Sequence, residues 1–353
     1  MGGGAVGSGT AWHLASYGHQ VYLIDPHLNH PLSRDGPLNG SKASLGILMG
    51  YMFRRSSGRA WHLRNESMRL WPDWIKRLKT QQYALKLNHP IIQLAATEQE
   101  AIAMKELSEK KSNYGIKFLQ PNEIISCPIP WPKNNLGAMI SKKDGQLDPL
   151  LLQKCLRLAI KTKNVIQESS YVISLERKPK KFCSCWQLNL TNGKKIIADI
   201  VVICSAMGTS KLIEPLGYKR NLEPALGQAI LVEINAKEKD WSGWPAVLMS
   251  KGVNLIPQNH QQILLGATLE FAEHPSVNDL RKMVALGGDA PFWLREGRIK
   301  ENWYGIRSRP TQEPAPILET LEPGLILASA HYRNGILLTP ATAEWVKRTI
   351  DGY

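Results

Sequence analysis

At 353 residues and 43% hydrophobic content, the chain suits a globular protein with a large core and about two domains. Its formal charge of +14 comes from scattered basic residues, with clusters at Lys178, Lys180, Lys181 and at Lys194, Lys195. No stacking aromatics interleave these clusters, which excludes a single-strand nucleic-acid groove and leaves a basic surface that attracts anionic substrates.

Cys127, Cys155, Cys183, Cys185 and Cys204 form no even disulfide framework and no CxxC pair. No metal site is expected from them, and a reducing, cytoplasmic compartment is. No charged leader opens the chain, and no apolar run approaches the ~20 residues that a membrane span requires.

The first 25 residues carry the clearest signal. Gly2, Gly4 and Gly7 form GxGxxG, with Gly3, Ala5 and Val6 between them, followed by a helical stretch to Gly18 and an apolar run, Val21 to Ile24, ending on Asp25. Glycine clusters often make ordinary turns, but the helix, its glycine stop and the terminal acid together predict a dinucleotide site. The glycines would let backbone approach a pyrophosphate at the helix N-terminus, and Asp25 would accept hydrogen bonds from a ribose. The fingerprint also calls for a buried strand before the first glycine, where only Met1 stands, so an upstream start and a gap in the sheet are expected.

Ser41 to Tyr51 (SKASLGILMGY) offers small residues suited to a phosphate or planar ring, although alone it reads equally as an unliganded loop. Arg59 to Lys79 is helical in pattern, with Pro72 predicting a kink or a fresh start. Thr97 and Glu100 form a capping box for a helix that Gly115 ends, and irregular connections follow from Pro121 to Asn135. Asp148 and Pro149 open a helix to about Lys161. Strand signals at Tyr171–Glu176 and Trp186–Leu190 turn at Asn192 and Gly193 into Ile196–Cys204.

From Leu226 onward, short strands dominate, with one helix near Ser276 to Leu286. The end returns to a strand at Leu325–Ala328, a tight HYRNG turn and a helix from about Pro340. A nucleotide-binding layer assembled from both ends and the middle, with a β-rich domain inserted, is the architecture these signals predict.

With SKASLG, DGQLDP, LGQ, GAT, WYGIRSRP and HYRNGILLTPATA following the fingerprint in this order, the chain resembles the glycine oxidase and D-amino-acid oxidase (DAO) family. The terminal motif is closest to the glycine oxidase branch of thiamine biosynthesis. The resemblance implies an α/β fold with a Rossmann-like FAD-binding domain (1–88, 141–218 and 304–353) and an inserted antiparallel substrate domain (89–140 and 219–303). It implies FAD as cofactor, with Ser41, Lys42, Ser44, Leu45, Gly46 and Ile47 near the pyrophosphate and flavin and Val172 near the adenine. Arg333, Asn334, Gly335, Ile336 and Leu337 would follow the flavin edge, where a helix N-terminus stabilises negative charge.

By the same resemblance, Arg307 of the GxR motif takes the substrate carboxylate and Arg333 stands beside it. Arg309 shares the strand face and is the rival ligand. An aromatic of the family is replaced by Asn254, a common basic position by Gln258, and a family glycine falls later, at Gly208, so the substrate need not be glycine. The implied reaction passes hydride from the α-carbon of a small amino acid or secondary amine to FAD. The imine then gives an oxo acid and ammonia, with oxygen reduced to peroxide. A quinone as acceptor, a flavin-binding protein without turnover, an NAD-dependent enzyme and assembly into a homo-oligomer stay open.

Overall fold

The computed structural model describes residues 1–34, 38–124, 127–132, 136–179, 184–235, 241–259, 261–272 and 274–352. Lys180, Lys181 and Cys183 lie outside them, as do 125–126 and 133–135 of the irregular connection.

The fingerprint folds as turn, helix and strand. The helix Ala5–Ser16 starts at Gly4, and Gly18 adopts φ +91° just beyond its end. The strand Tyr22–Ile24 then pairs in parallel with Ile166–Glu168. A second unit pairs Val201–Ile203 in parallel with Leu325–Ser329, which pairs antiparallel with Ile317–Glu322. Among the described residues no further strand joins these units. Met1 and Gly2 bridge them instead: the terminal amine donates to the Val202 carbonyl at 2.9 Å, the Cys204 amide donates to Met1 O at 2.8 Å, and the Gly2 amide donates to Ile24 O at 2.9 Å.

Eight strands form the largest sheet, in the spatial order Arg298–Pro310, Leu222–Glu233, Gln262–Gly266, Val253–Asn259, Val247–Ser250, Ile91–Leu94, Ala138–Ser141 and Ile116–Leu119. The expectation of an antiparallel sheet is corrected at one place, because Val247–Ser250 and Ile91–Leu94 run parallel. These strands come from segments far apart in sequence, so no hairpin turn dictates their direction. Trp186 and Leu188 belong to a separate three-stranded meander, where Asn192 and Gly193 make the expected turn between Ser184–Leu190 and Lys195–Ala198.

One proline-based expectation is also corrected: the closing helix Gly335–Asp351 begins ahead of Pro340. The helix Arg59–Leu78 runs on through Pro72, so of the two outcomes expected there the fresh start is the one not found. Proline inside a helix costs about 3 kcal/mol because it removes a donor and crowds the preceding turn. Packing between these two helices offsets that cost at Pro340. Leu337 O accepts from Ser67 Oγ and from Trp71 Nε1, while the Ala341 amide donates to Ser67 Oγ. Ser67 and Trp71 are both fully buried, so the helix is repaired by a neighbour that no local pattern reveals.

Candidate FAD and substrate cavity

A single cavity of about 980 Å³ runs between the fingerprint, the 39–49 segment, the eight-stranded sheet and the start of the closing helix. At one end its wall is backbone. Gly2, Gly4, Ala5, Val6 and Gly7 line it, and a Cβ on Gly7 would lie 1.8 Å from Gly2 O. The first amide of the opening helix, on Ala5, donates to Ser41 Oγ at 2.9 Å. The Asp25 carboxylate lies at the end of its strand, accepting from the Gly3 amide at 2.7 Å and the His27 amide at 2.8 Å. It thereby ties the glycine turn to the neighbouring strand. Val172 lines this end together with Tyr171 and Ile173, two exposed apolar side chains.

Ser44, Leu45, Gly46 and Ile47 line the next part of the wall. Gly46 must be glycine here: at φ +72° its Cβ would meet Leu147 O at 1.8 Å. Asn334, Gly335, Ile336 and Leu337 bring in the N-terminus of the closing helix, so two helix starts face one cavity. Unpaired amides and the helix dipole make both ends favourable to negative charge.

The other end is built from side chains. Arg307 Nη1 donates to Leu226 O at 3.0 Å and to Thr268 O at 3.2 Å. Its guanidinium lies against Gly227, where a Cβ would come within 2.1 Å of Nη2. Burial, then repulsion from Arg333, lowers the Arg307 pKa. Two carbonyls occupy one nitrogen of a five-donor group, which leaves Nη2 for a ligand carboxylate. Arg333 and Asn254 line the same cavity; Asn254 Nδ2 donates to Gly266 O at 2.8 Å.

Three sequence-selected residues stand outside the wall. The amide of Gly3 faces Asp25, Lys42 Nζ donates to Pro31 O at 2.9 Å, and Arg309 pairs with Glu223 at 3.3 Å. His331 is buried and bonded to Thr342 Oγ1 at 2.8 Å, and burial pushes its pKa down to about 3. It is a neutral structural group.

Sequence reasoning missed the supports. Asp144 is fully buried and accepts from the amides of Gly50, Tyr51 and Met52 at 2.8, 2.9 and 2.8 Å. Burial raises its pKa against the pull of those amides. Lys111 donates to the carbonyls of Tyr51, Phe53 and Arg55, sits 3.8 Å over Trp61, and has its pKa lowered to about 8 by burial. Together they clamp the 50–55 loop from both sides. The acid of DGQLDP was visible as a motif, whereas nothing in a lysine of an amphipathic helix announced this role.

The residues present fit FAD. The cavity size, the side-chain-free glycine cradle and the two helix starts match a long dinucleotide carrying a pyrophosphate. Among the described residues no His/Cys/Asp/Glu group could hold a metal, and no helix is long and apolar enough to cross a membrane.

The model of the DAO family, FAD dependent oxidoreductase, matches residues 1–349. Glycine oxidase of Pseudomonas putida is 30% identical over 165 residues, 44% of this chain and 43% of that protein. Glycine oxidase of Geobacillus kaustophilus is 23% identical over 365 residues, 99% of this chain and 92% of that protein. The crystal structure of the Geobacillus kaustophilus enzyme superposes with a TM-score of 0.84 at 23% identity, covering 99% of this chain and 93% of that one. With the family model spanning nearly the whole chain and the cavity built as a dinucleotide cradle, the protein belongs to the DAO family of FAD-dependent oxidoreductases.

Proposed function

We propose that the cavity oxidises a small amino acid or secondary amine to an imine, which hydrolyses to an oxo acid and ammonia, or a primary amine where the substrate is a secondary amine, with oxygen as the electron acceptor. The observation that carries this reading is Arg307. It is a largely buried guanidinium held by two carbonyls, with no carboxylate partner among the described residues, in the same cavity as the glycine cradle. A substrate carboxylate would supply the directly bonded counter-charge that Glu270, felt by Arg307 but not bonded to it, does not, and Arg333, whose proximity lowers the Arg307 pKa, would share it.

Bound FAD supplies the two-electron acceptor. The chain's own residues bind and orient. The glycines and Asp25 would hold the nucleotide, Val172 would border the adenine, and the 44–47 and 333–337 segments would follow the pyrophosphate and flavin. Segments 89–140 and 219–303 would form the substrate side. The names of the relatives support a small amino-acid substrate. Asn254 supports one other than glycine, because an amide here replaces an aromatic of the resemblance.

The test is anaerobic bleaching of the flavin by a panel of amino acids and N-methyl amino acids, followed by peroxide detection in air. Arg307→Met should lower kcat/KM by about 100-fold, in line with a lost charge-assisted pair. Arg309→Met should change it by less than about 3-fold, since loss of an exposed ion pair is worth little. Equal effects would overturn the assignment. Bleaching without peroxide would instead point to a quinone.

A further inference from the structure

A third guanidinium lines the cavity beside Arg307 and Arg333, and nothing above uses it. Arg64 lies on the helix Arg59–Leu78 and is only 9% exposed. Its one hydrogen bond among the described residues runs from Nη1 to Ala60 O at 3.1 Å, a carbonyl one turn back on its own helix. Its guanidinium carbon sits 4.0 Å over the Phe53 ring, and Phe53 is itself a wall residue. Arg177, Arg220, Arg298, Arg309 and Arg348 each reach a glutamate, whereas Arg59 and Arg157 reach carbonyls. In the cavity wall the buried Arg64 and the half-buried Arg307 likewise bond to carbonyls.

Burying a charge without a counter-charge is costly, and a purely structural arginine would be expected to bring an acid with it. Burial lowers the Arg64 pKa, and the charged side chain close to it is another cation, Lys111, whose own pKa Arg64 helps to lower; among the described residues no carboxylate pairs with Arg64. Arg307 is carried by the strand Arg298–Pro310 and Arg64 by the helix Arg59–Leu78, so the two guanidiniums are stations brought to one cavity by different elements. The position of Arg64 along the wall is set by Ser67, three residues on and on the same helix face, which bonds to Leu337 at the start of the closing helix.

We propose that Arg64 binds a second carboxylate of the substrate, so that the preferred substrate is an amine carrying two carboxylates, one on Arg307 and one on Arg64. This rests on the reading of the cavity as an amine-oxidising site. It adds the specificity: a monocarboxylate leaves Arg64 buried and unpaired, and a dicarboxylate satisfies both stations.

The test uses FAD-loaded protein and two unreactive ethers, methoxyacetate with one carboxylate and oxydiacetate with two, titrated by calorimetry and by perturbation of the flavin spectrum. Oxydiacetate should bind the wild type at least about 10-fold more tightly than methoxyacetate, as expected for one added charge-assisted pair. Arg64→Met should abolish that preference while changing methoxyacetate binding by less than about 2-fold, and Arg64→Lys should restore part of it. Equal binding of the two ethers by the wild type overturns the inference alone and needs no variant. So does an equal loss of both in Arg64→Met, or a loss confined to FAD retention or to sulfite affinity of the flavin, which would make Arg64 a cofactor residue. Failure of methoxyacetate to bind the wild type, or binding indifferent to Arg307→Met, overturns the amine-site reading and this inference with it.

Discussion

On the proposed function the two ends of the cavity would both hold negative charge, with different materials. At the fingerprint end the donors are backbone amides, and the specificity lies in what is absent: side chains at Gly2, Gly4 and Gly7. At the sheet end the donors are long guanidiniums carried in from a helix, a strand and a turn, and the specificity lies in how each is held. A backbone site is rigid once the turn forms, and any added atom is a collision. A side-chain site can be displaced without unfolding anything, so its losses should be graded.

That contrast can be broken most severely at Gly7. A Cβ 1.8 Å from Gly2 O cannot be accommodated without moving the turn, so Gly7→Ala should purify without bound FAD, read as the ratio of flavin to protein absorbance. Full flavin occupancy would mean that the turn is softer than a backbone cradle should be. Gly227→Ala is the corresponding change at the other end. Its Cβ would press on the Arg307 guanidinium, which can swing away, so KM should rise about 10-fold with FAD content unchanged. A loss of flavin in this variant would show that the two ends are not independent.

An effect on stability, and not on ligand binding, is expected at His331, a buried residue of the cavity lining. Its folded pKa is about 3 against an ordinary value of 6.5, so the unfolded chain takes up the proton more readily. The group leaves stability untouched above pH 6.5 and subtracts from it as the pH falls toward about 3. Thermal unfolding of His331→Gln should therefore lose less stability than the wild type between pH 6 and 4. Parallel acid limbs would show that other groups set the acid sensitivity.

Legibility followed the same division. The glycine fingerprint, the Asp148–Pro149 helix start and the helix near Ser276 were readable because each is decided within a few residues: Asp148 Oδ1 accepts from the Leu150 and Leu151 amides, and Ser276 Oγ from the Asp279 amide. The Thr97 cap was readable for the same reason, although Glu100 reaches back to the Ala96 amide and not to that of Thr97. Pro340 misled because its local cost is real but tertiary partners offset it. Arg307 and Arg309 could not be separated by period-2 geometry; Glu223 claims one and Gly227 makes room for the other.

The amino-acid sequence by itself determined the cofactor class, because a backbone cradle needs a particular spacing of glycines and that spacing is local. Through its scattered motifs it also determined the family. Only the tertiary structure decided which charges are left without partners. Arg64 looks like any arginine on an amphipathic helix until the fold buries it in the cavity wall with a carbonyl as its hydrogen-bond partner. Whether a charge is satisfied depends on neighbours that lie far away in the chain, and those are set by packing.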